Sequence, residues 1–136
     1  MFKIGIIGNG FVGSSVAFGF SPPTGCDTTV KIYDKDKSKT TNTLDDVVNT
    51  SDFIFVSVPT PSNQDGSISL DMLFDVFEEI HNIIDYEKTI QPVILLRSTV
   101  TPGTTSQIGI NYPKLHLVFN PEFLTERSAK FDFINQ

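Results

Sequence analysis

Three glycines near the start of the chain have the spacing of a phosphate-binding loop. Gly8, Gly10 and Gly13 directly follow an apolar run and open a segment with helical spacing. In such a loop the first glycine permits a tight turn off the strand, the second leaves room for a pyrophosphate, and the third lets the helix pack closely on the sheet. The helix N-terminus adds free N–H groups and a partial positive charge. The spacing therefore predicts a dinucleotide-binding βαβ unit.

An acidic residue stands where such a unit reads the ribose. Asp34 lies about twenty residues beyond Gly13 and ends a β-branched run that predicts the second strand. A carboxylate there accepts hydrogen bonds from the ribose hydroxyls and repels a 2′-phosphate, which favours NAD over NADP. Lys35 and Lys37 weaken that preference, because a nearby cation tolerates phosphate. In the alternative interpretation the glycines only form a tight turn and Asp34 is a surface acid.

Three later loops follow predicted strands and carry polar side chains. They are residues 58–61, 97–104 and 120–126. Ligands of an open α/β sheet bind beyond the carboxyl ends of its strands, so these loops are candidates for a polar pocket. Simpler alternatives remain open: the prolines end strands, and Ser98 and Thr99 cap the following helix. Glu122 and Glu126, four residues apart, could likewise share an ordinary helical face.

Taken in order, these motifs resemble those of the UDP-glucose/GDP-mannose dehydrogenase family. The resemblance runs along essentially the whole chain and is most specific in the block Asn120-Pro121-Glu122-Phe123-Leu124, followed by Glu126. Glycine loops are widespread, but this ordered set of motifs is not. The other matching motifs are the glycine loop with Asp34, Val58-Pro59-Thr60-Pro61, Ser98-Thr99-Val100 and Pro102-Gly103-Thr104.

The resemblance implies an NAD-dependent oxidoreductase that oxidises the C6 alcohol of a nucleotide sugar, UDP-glucose above all, to a carboxylate. Two hydrides pass to NAD, and a cysteine holds the sugar as a thioester until water hydrolyses it. By this resemblance the catalytic residues are Thr99, which helps to position the water, and Glu122, the general base. The expected sugar-nucleotide contacts are Glu122, Phe123, Leu124 and Glu126. The expected cofactor contacts are Gly8, Gly10, Phe11, Val12, Gly13, Asp34, Lys39, Pro59, Thr60, Ser98, Thr99 and Glu126.

The chain departs from the family pattern in two ways. Arg127 stands where the family has a glycine, which puts the local turn and the choice of substrate in question. The family's nucleophilic cysteine, catalytic lysine and asparagine, and C-terminal nucleotide-binding domain would lie beyond Gln136. Cys26 follows the first predicted helix, at the wrong end of the sheet to replace that cysteine. We therefore expect a truncated, NAD-binding part that cannot complete the reaction alone, and full-length relatives that are homodimers.

The elements that must position these residues alternate along the chain. Strands are predicted at short, continuous apolar or β-branched runs, as expected where both faces of a sheet are covered. Helices are predicted where apolar residues recur at helical spacing, with Thr43 and Ser69 as N-caps of two of them. The predicted strands are residues 3–7, 28–33, 53–58, 92–97 and 115–119, and the predicted helices are 11–20, 43–48, 69–84 and 103–110. This alternation predicts an α/β fold, a Rossmann-like parallel sheet with helices on both faces.

The composition fits one domain over residues 1–136, with 39% hydrophobic residues and twelve Phe to build a core. A formal net charge of −6 argues against a nucleic-acid partner. The single cysteine excludes a disulfide framework and a multi-thiolate metal site. Because the sequence has neither a signal-peptide pattern nor an apolar run of roughly 18 residues, we expect a cytoplasmic protein with no metal and no membrane partner. Two other functions stay open: another NAD-dependent dehydrogenase, for example of a hydroxy acid, and a non-catalytic nucleotide-binding module.

Overall fold

Strands and helices alternate along the chain in the computed structural model, which describes residues 1–125 and 127–135. The strands within these residues are β1 (Phe2–Ile7), β2 (Thr28–Tyr33), β3 (Phe53–Val56), β4 (Val93–Leu96) and β5 (His116–Phe119). The helices are α1 (Phe11–Gly19), α2 (Leu44–Thr50), α3 (Asp71–Ile83), α4 (Thr104–Asn111) and α5 (Ala129–Ile134). A single 3₁₀ turn, Pro22–Thr24, follows α1.

The five described strands form one parallel sheet in the order β2-β1-β3-β4-β5. Because all strands run the same way, their carboxyl ends meet at one edge of the sheet, which we call the carboxyl edge. The chain leaves β1 in both directions, to β2 on one side and β3 on the other. In doubly wound sheets this switch point opens a crevice in which ligands bind. The predicted Rossmann-like α/β fold is confirmed.

Helices cover both faces of the sheet, which explains why the strands are continuous apolar runs. On one face, residues of α2, α3 and α4 pack against the strands around the fully buried Phe77 and Leu73. On the other face, Val16 of α1 packs with Ile6 and Phe55. Full burial of a side chain such as Phe77 contributes about 1.5–3 kcal/mol. The sheet is therefore a rigid platform that holds the carboxyl edge in place.

Every predicted boundary lies within two residues of the observed one, and the remaining differences have local causes. The Thr43 hydroxyl accepts a hydrogen bond from the Asp46 N–H and caps α2, as predicted. The prediction that Ser69 caps α3 is wrong, because the N-cap is Leu70 and the Ser69 N–H donates to the Pro61 carbonyl. β3 ends at Val56 rather than at residue 58.

The helix α5 has no counterpart among the predicted elements. It packs against α1, and a Cβ added at Gly19 of α1 would overlap the ring of Phe133. Phe133 also contacts Phe20, with ring centroids 5.8 Å apart. The glycine thus brings the two helices together, and this contact fixes the segment that follows β5.

Residues 1–125 and 127–135 contain neither a membrane-spanning helix nor a cluster of metal-ligating side chains. No helix there is long and apolar enough to cross a membrane. No group of three or more His, Cys, Asp or Glu side chains in the same residues is placed to hold a metal ion.

Candidate functional site

The glycine loop lies at the switch point between β1 and β3, and each glycine has a separate physical reason. Gly8 has φ +93°, and a Cβ there would overlap the carbonyl oxygen of Ser57. A Cβ at Gly13 would overlap the carbonyl oxygen of Gly8. Gly10 is the N-cap of α1, and no heavy atom of the described residues lies within 4 Å of the position its Cβ would take. The loop is therefore tightly packed at Gly8 and Gly13 and open at Gly10, as a phosphate-binding loop must be.

Asp34 lies against this loop, at the end of β2. Its Oδ2 accepts a hydrogen bond of 2.7 Å from the Asn9 N–H, and its Oδ1 accepts one of 2.8 Å from the Asp36 N–H. The Asn9 side chain donates to the Lys39 carbonyl at 2.9 Å. The Lys39 ammonium lies 3.9 Å from the Asp36 carboxylate. The carboxylate of Asp34 is thus fixed in orientation by two backbone amides.

A cavity of about 180 Å³ opens beside Asp34, and we call it the Asp34 cavity. Its lining is largely apolar, with the Asp34 carboxylate at one side. The lining residues are Ile7, Gly8, Tyr33, Asp34, Lys35, Val58, Pro59, Met72 and Val76. An apolar slot with one carboxylate suits a flat aromatic ring joined to a sugar that bears hydroxyls.

A second cavity of about 310 Å³ opens on the other side of the loop, and we call it the Glu122 cavity. It collects residues from the start of α1 and from the ends of β3, β4 and β5. The lining residues are Gly10, Phe11, Val12, Ser57, Val58, Pro59, Thr60, Arg97, Ser98, Thr99 and Glu122. Val58 and Pro59 line both cavities, so the two share one wall.

The Glu122 cavity contains one carboxylate and one buried cation among its described lining residues. The Oε2 of Glu122 accepts a hydrogen bond of 2.7 Å from the Leu124 N–H. Arg97 is 3% exposed, donates to the Asn120 Oδ1 at 2.6 Å, and lies over the ring of Phe133 at 5.5 Å. Burial lowers the pKa of the Arg97 guanidinium, and the nearby Glu122 carboxylate partly opposes this shift.

The hydroxyl of Ser98 is engaged by the main chain of the next loop. It accepts a hydrogen bond of 2.9 Å from the Val58 N–H and donates one of 2.8 Å to the Val58 carbonyl. The alternative that Ser98 or Thr99 caps α4 is wrong, because the N-cap of α4 is Gly103, with φ +88°. Thr99 is exposed at the cavity wall.

The structure brings most of the expected site residues together, but not all of them. Among the described residues, every expected cofactor contact except Gly13 and Lys39 lines one of the two cavities. Phe123 is 82% exposed, and neither Phe123 nor Leu124 lines a cavity. Glu126 lies outside the described residues. The alternative that Glu122 lies on a helical face is wrong, since residues 121–125 form no helix.

Sequence reasoning named no role for Arg97, although it lies in one of the loops singled out. In the sequence, Arg97 is a charged residue directly after a continuous apolar run. Such a residue indicates a buried, partnered cation no more strongly than it indicates the end of a strand. Its contact with Asn120 depends on the neighbouring position of β4 and β5. The adjacency of β4 and β5 follows from the order of the strands in the sheet, and the residues around Arg97 do not encode it.

Known proteins share this fold. Residues 25–136 match the model of the UDP-glucose/GDP-mannose dehydrogenase family, NAD binding domain. A UDP-glucose 6-dehydrogenase of Rickettsia conorii is 34% identical over 106 residues, which are 74% of this chain and 23% of that protein. The chain therefore spans less than a quarter of the length of this relative.

Two solved structures superpose closely on this chain. A ternary complex of GDP-mannose dehydrogenase from Pseudomonas aeruginosa has a TM-score of 0.80 at 26% identity, over 96% of this chain and 38% of that one. A UDP-glucose dehydrogenase from Pyrobaculum islandicum has a TM-score of 0.81 at 25% identity, over 98% of this chain and 38% of that one. The predicted cofactor, NAD, is that of the matched domain. The chain thus belongs to the UDP-glucose/GDP-mannose dehydrogenase family, within the part that forms its NAD-binding domain.

Proposed function

We propose that this chain binds NAD across both cavities and serves as the cofactor-binding part of a dehydrogenase that oxidises UDP-glucose to UDP-glucuronate. The observation that carries this proposal is the pair of cavities on either side of the glycine loop, with Val58 and Pro59 as their common wall. A dinucleotide has two ring systems joined by a pyrophosphate, and this arrangement has two pockets joined by a phosphate-binding loop.

The adenosine half fits the Asp34 cavity. The apolar side chains of Val58, Met72 and Val76 suit an adenine ring, and the Asp34 carboxylate faces the ribose. Two backbone amides fix the orientation of the Asp34 carboxylate, and a carboxylate at this place disfavours a 2′-phosphate. We therefore expect NAD to bind more tightly than NADP.

The pyrophosphate fits the start of α1. The first N–H groups of a helix have no intrahelical partner, and the first helical bond of α1 runs from the Ser14 N–H to the Gly10 carbonyl. These donors and the helix dipole favour an anion. The open space at Gly10 admits phosphate oxygens close to the backbone. A side chain at Gly10 would occupy that space, so the glycine supports the proposed phosphate site.

The nicotinamide half fits the Glu122 cavity, where bound NAD supplies the hydride acceptor. Thr99 and Glu122 are the proposed catalytic residues, with Thr99 positioning a water and Glu122 accepting its proton. Glu122 is half-buried and held by the Leu124 N–H, so its carboxylate has a defined position. The proposed sugar-nucleotide contacts add Phe123, Leu124 and Glu126, and the exposure of Phe123 leaves it available to a ligand.

Oxidation through a thioester also needs a thiolate beside the hydride acceptor. Cys26 is the chain's single cysteine, and its Sγ lies 3.5 Å from the Gly19 carbonyl, near the end of α1. It lines neither cavity, and it lies beyond the helix end opposite to the phosphate loop. We therefore expect this chain by itself not to produce NADH from UDP-glucose.

Calorimetric titration tests the proposal. NAD should bind the chain, and NADP should bind at least about tenfold more weakly. A tenfold difference corresponds to about 1.4 kcal/mol in the free energy of binding. Absence of NAD binding at millimolar concentration, or equal affinity for NADP, would contradict the proposed cofactor site. UDP-glucose and GDP-mannose, added separately to the NAD-loaded chain, test the sugar nucleotide: stronger binding of GDP-mannose would contradict the choice of UDP-glucose.

A further inference from the structure

The wall between the two cavities is built from main chain that has left the sheet. β3 ends at Val56, so the N–H and carbonyl of Val58 lie beyond the strand. Val58 and Pro59 nevertheless line both the Asp34 cavity and the Glu122 cavity. Gly8 of the phosphate loop packs against the same segment, since a Cβ there would overlap Ser57 and lie 3.2 Å from the Val58 nitrogen. The position of this segment therefore sets the spacing of the two cavities.

One side chain holds this wall to the rest of the sheet. Ser98 follows β4, is 6% exposed, and forms two hydrogen bonds with Val58, one as acceptor and one as donor. The main chain of neighbouring Arg97 continues the ladder from β4 to β3, through its N–H to the Val56 carbonyl. Beyond that bond, the Ser98 hydroxyl takes the place of the next backbone hydrogen bond between the two segments.

We propose that Ser98 is a positioning residue whose hydroxyl clamps the Val58 peptide and so sets the spacing of the two cavities that NAD must fill together. This inference rests on the proposed function for its consequence, although the clamp itself is a contact within the chain. Ser98 acts through Val58 and Pro59, because its hydroxyl accepts a hydrogen bond from the Val58 N–H and donates one to the Val58 carbonyl. This role is additional to the predicted cofactor contact of Ser98, which also lines the Glu122 cavity.

Loss of the clamp should weaken ligands that fill both cavities more than ligands that fill only one. Linking two binding groups raises affinity only when both can engage at the same time. A shift of the Val58 wall leaves each cavity able to hold its own half, but changes their separation. Loss of the hydroxyl should therefore weaken NAD more than AMP, which occupies the Asp34 cavity alone.

Ser51 provides a matched control at the opposite edge of the sheet. It is 7% exposed, and its hydroxyl has no hydrogen-bond partner within the described residues. Ser51→Ala therefore removes a buried hydroxyl without removing a clamp. Ser98→Thr keeps the hydroxyl and is the rescue variant.

The experiment compares the wild type with Ser98→Ala, Ser98→Thr and Ser51→Ala by titration with NAD and with AMP. In Ser98→Ala, NAD should bind about tenfold more weakly, as for one lost buried hydrogen bond, while AMP affinity changes by less than about twofold. Ser98→Thr should restore most of the NAD affinity, and Ser51→Ala should leave both affinities unchanged. Equal losses for NAD and AMP, or no loss for either, would overturn the proposal.

Amide hydrogen exchange at Val58 tests the clamp without any ligand. The Val58 N–H should be protected in the wild type, in Ser98→Thr and in Ser51→Ala, and should exchange rapidly in Ser98→Ala. Rapid exchange in the folded wild type would overturn the clamp, even if Ser98→Ala proved too unstable to study. Protection at Val58 with no NAD binding would support the clamp and contradict the proposed function, so the two failures are distinguishable.

Discussion

The Asp34 cavity and the Glu122 cavity share a wall but differ in chemistry. The first is lined mainly by hydrocarbon, with one carboxylate that two backbone amides hold in place. The second is lined by hydroxyls, a carboxylate and a buried guanidinium. Apolar walls with one fixed acceptor hold and discriminate a ligand. A concentration of hydroxyl and carboxylate groups can also move protons, which suits the half of a cofactor where the reaction occurs.

The two cavities also differ in how the chain assembles them. The Asp34 cavity uses β1, β2, α3 and the loop after β3, and its carboxylate is about twenty residues from the glycine loop. The Glu122 cavity needs the ends of β3, β4 and β5 together with the start of α1. The Asp34 cavity can therefore be predicted from a local sequence motif, whereas the Glu122 cavity depends on the order of the strands.

The largest expected effect comes from the loop that serves both cavities. Gly13→Ala should destabilise the fold by more than about 3 kcal/mol, because its Cβ would overlap the Gly8 carbonyl, where neither backbone can yield. Urea denaturation measures the change in the free energy of unfolding. Gly10→Ala is the matched control, since its Cβ meets open space: it should cost no more than about 1 kcal/mol, as for alanine at an N-cap, and weaken NAD binding. Equal stability of the two variants would contradict this account of the loop.

The second prediction separates the cavities by affinity. Asp34→Ala should weaken NAD binding by roughly tenfold to a hundredfold, as expected for hydrogen bonds to a charged group worth about 1.5–3 kcal/mol. Glu122→Gln, which keeps the shape of the other cavity, should change NAD affinity by less than about threefold. Calorimetry with NAD measures both variants. A larger loss in Glu122→Gln than in Asp34→Ala would reverse the roles assigned to the cavities.

The third prediction concerns the buried cation of the Glu122 cavity. The Nε and Nη2 groups of Arg97 have no hydrogen-bond partner within the described part of the chain. Because desolvation of such a charge is incompletely offset, Arg97→Met should raise the stability of the chain, by about 1 kcal/mol. Denaturant unfolding of Arg97→Met and Arg97→Lys measures the effect, with the lysine variant keeping the charge. A loss of more than about 2 kcal/mol in Arg97→Met would show a well-compensated ion and contradict the prediction.

The smallest expected effect is a pH dependence beside the Glu122 cavity. The Thr125 N–H, and then the hydroxyls of Thr125 and Ser128, hold the pKa of the Asp132 carboxyl below its ordinary value. A carboxyl whose pKa is lower in the folded state stabilises the fold above its unfolded pKa of about 3.9, and this contribution is lost as the pH falls through the folded value. The loop before α5 should therefore loosen in acid before the sheet does.

Backbone amide NMR signals recorded between about pH 6 and pH 2, the range in which carboxyl groups titrate, check this prediction. The Thr125 signal should move with the Asp132 titration in the wild type. In Asp132→Asn the same signal should be insensitive to pH, while the signals of β1 remain as in the wild type. A Thr125 signal that titrates equally in both proteins would contradict the role of Asp132.

Much of the fold could be predicted because each strand is a short apolar run with a polar or glycine boundary. The glycine loop and Asp34 were predictable for a similar reason, since one motif contains both the turn and the acid. β3 ended earlier than its apolar run because Val58 leaves the ladder for the Ser98 hydroxyl. The pattern of apolar residues along one segment does not predict a hydrogen bond to a neighbouring segment of the sheet.

The Glu122 cavity was predictable in its residues and not in its geometry. Thr60, Thr99 and Glu122 stood in loops that were expected at the carboxyl edge, and all three line the cavity. The role of Ser98 as a clamp and the burial of Arg97 depend on which strands are neighbours. The helix α5 escaped prediction because it is only six residues long, and its packing on α1 supplies what its sequence pattern lacks.

The central claim is that one NAD molecule spans both cavities. The most direct test is the amide spectrum of the ¹⁵N-labelled chain during titration with NAD, AMP and nicotinamide mononucleotide. The account predicts that AMP shifts signals around Asp34 and Met72, that the mononucleotide shifts those of Thr60 and Thr99, and that NAD shifts both sets with one affinity. NAD that shifts only one set, or that shifts residues outside the two cavities, would contradict it.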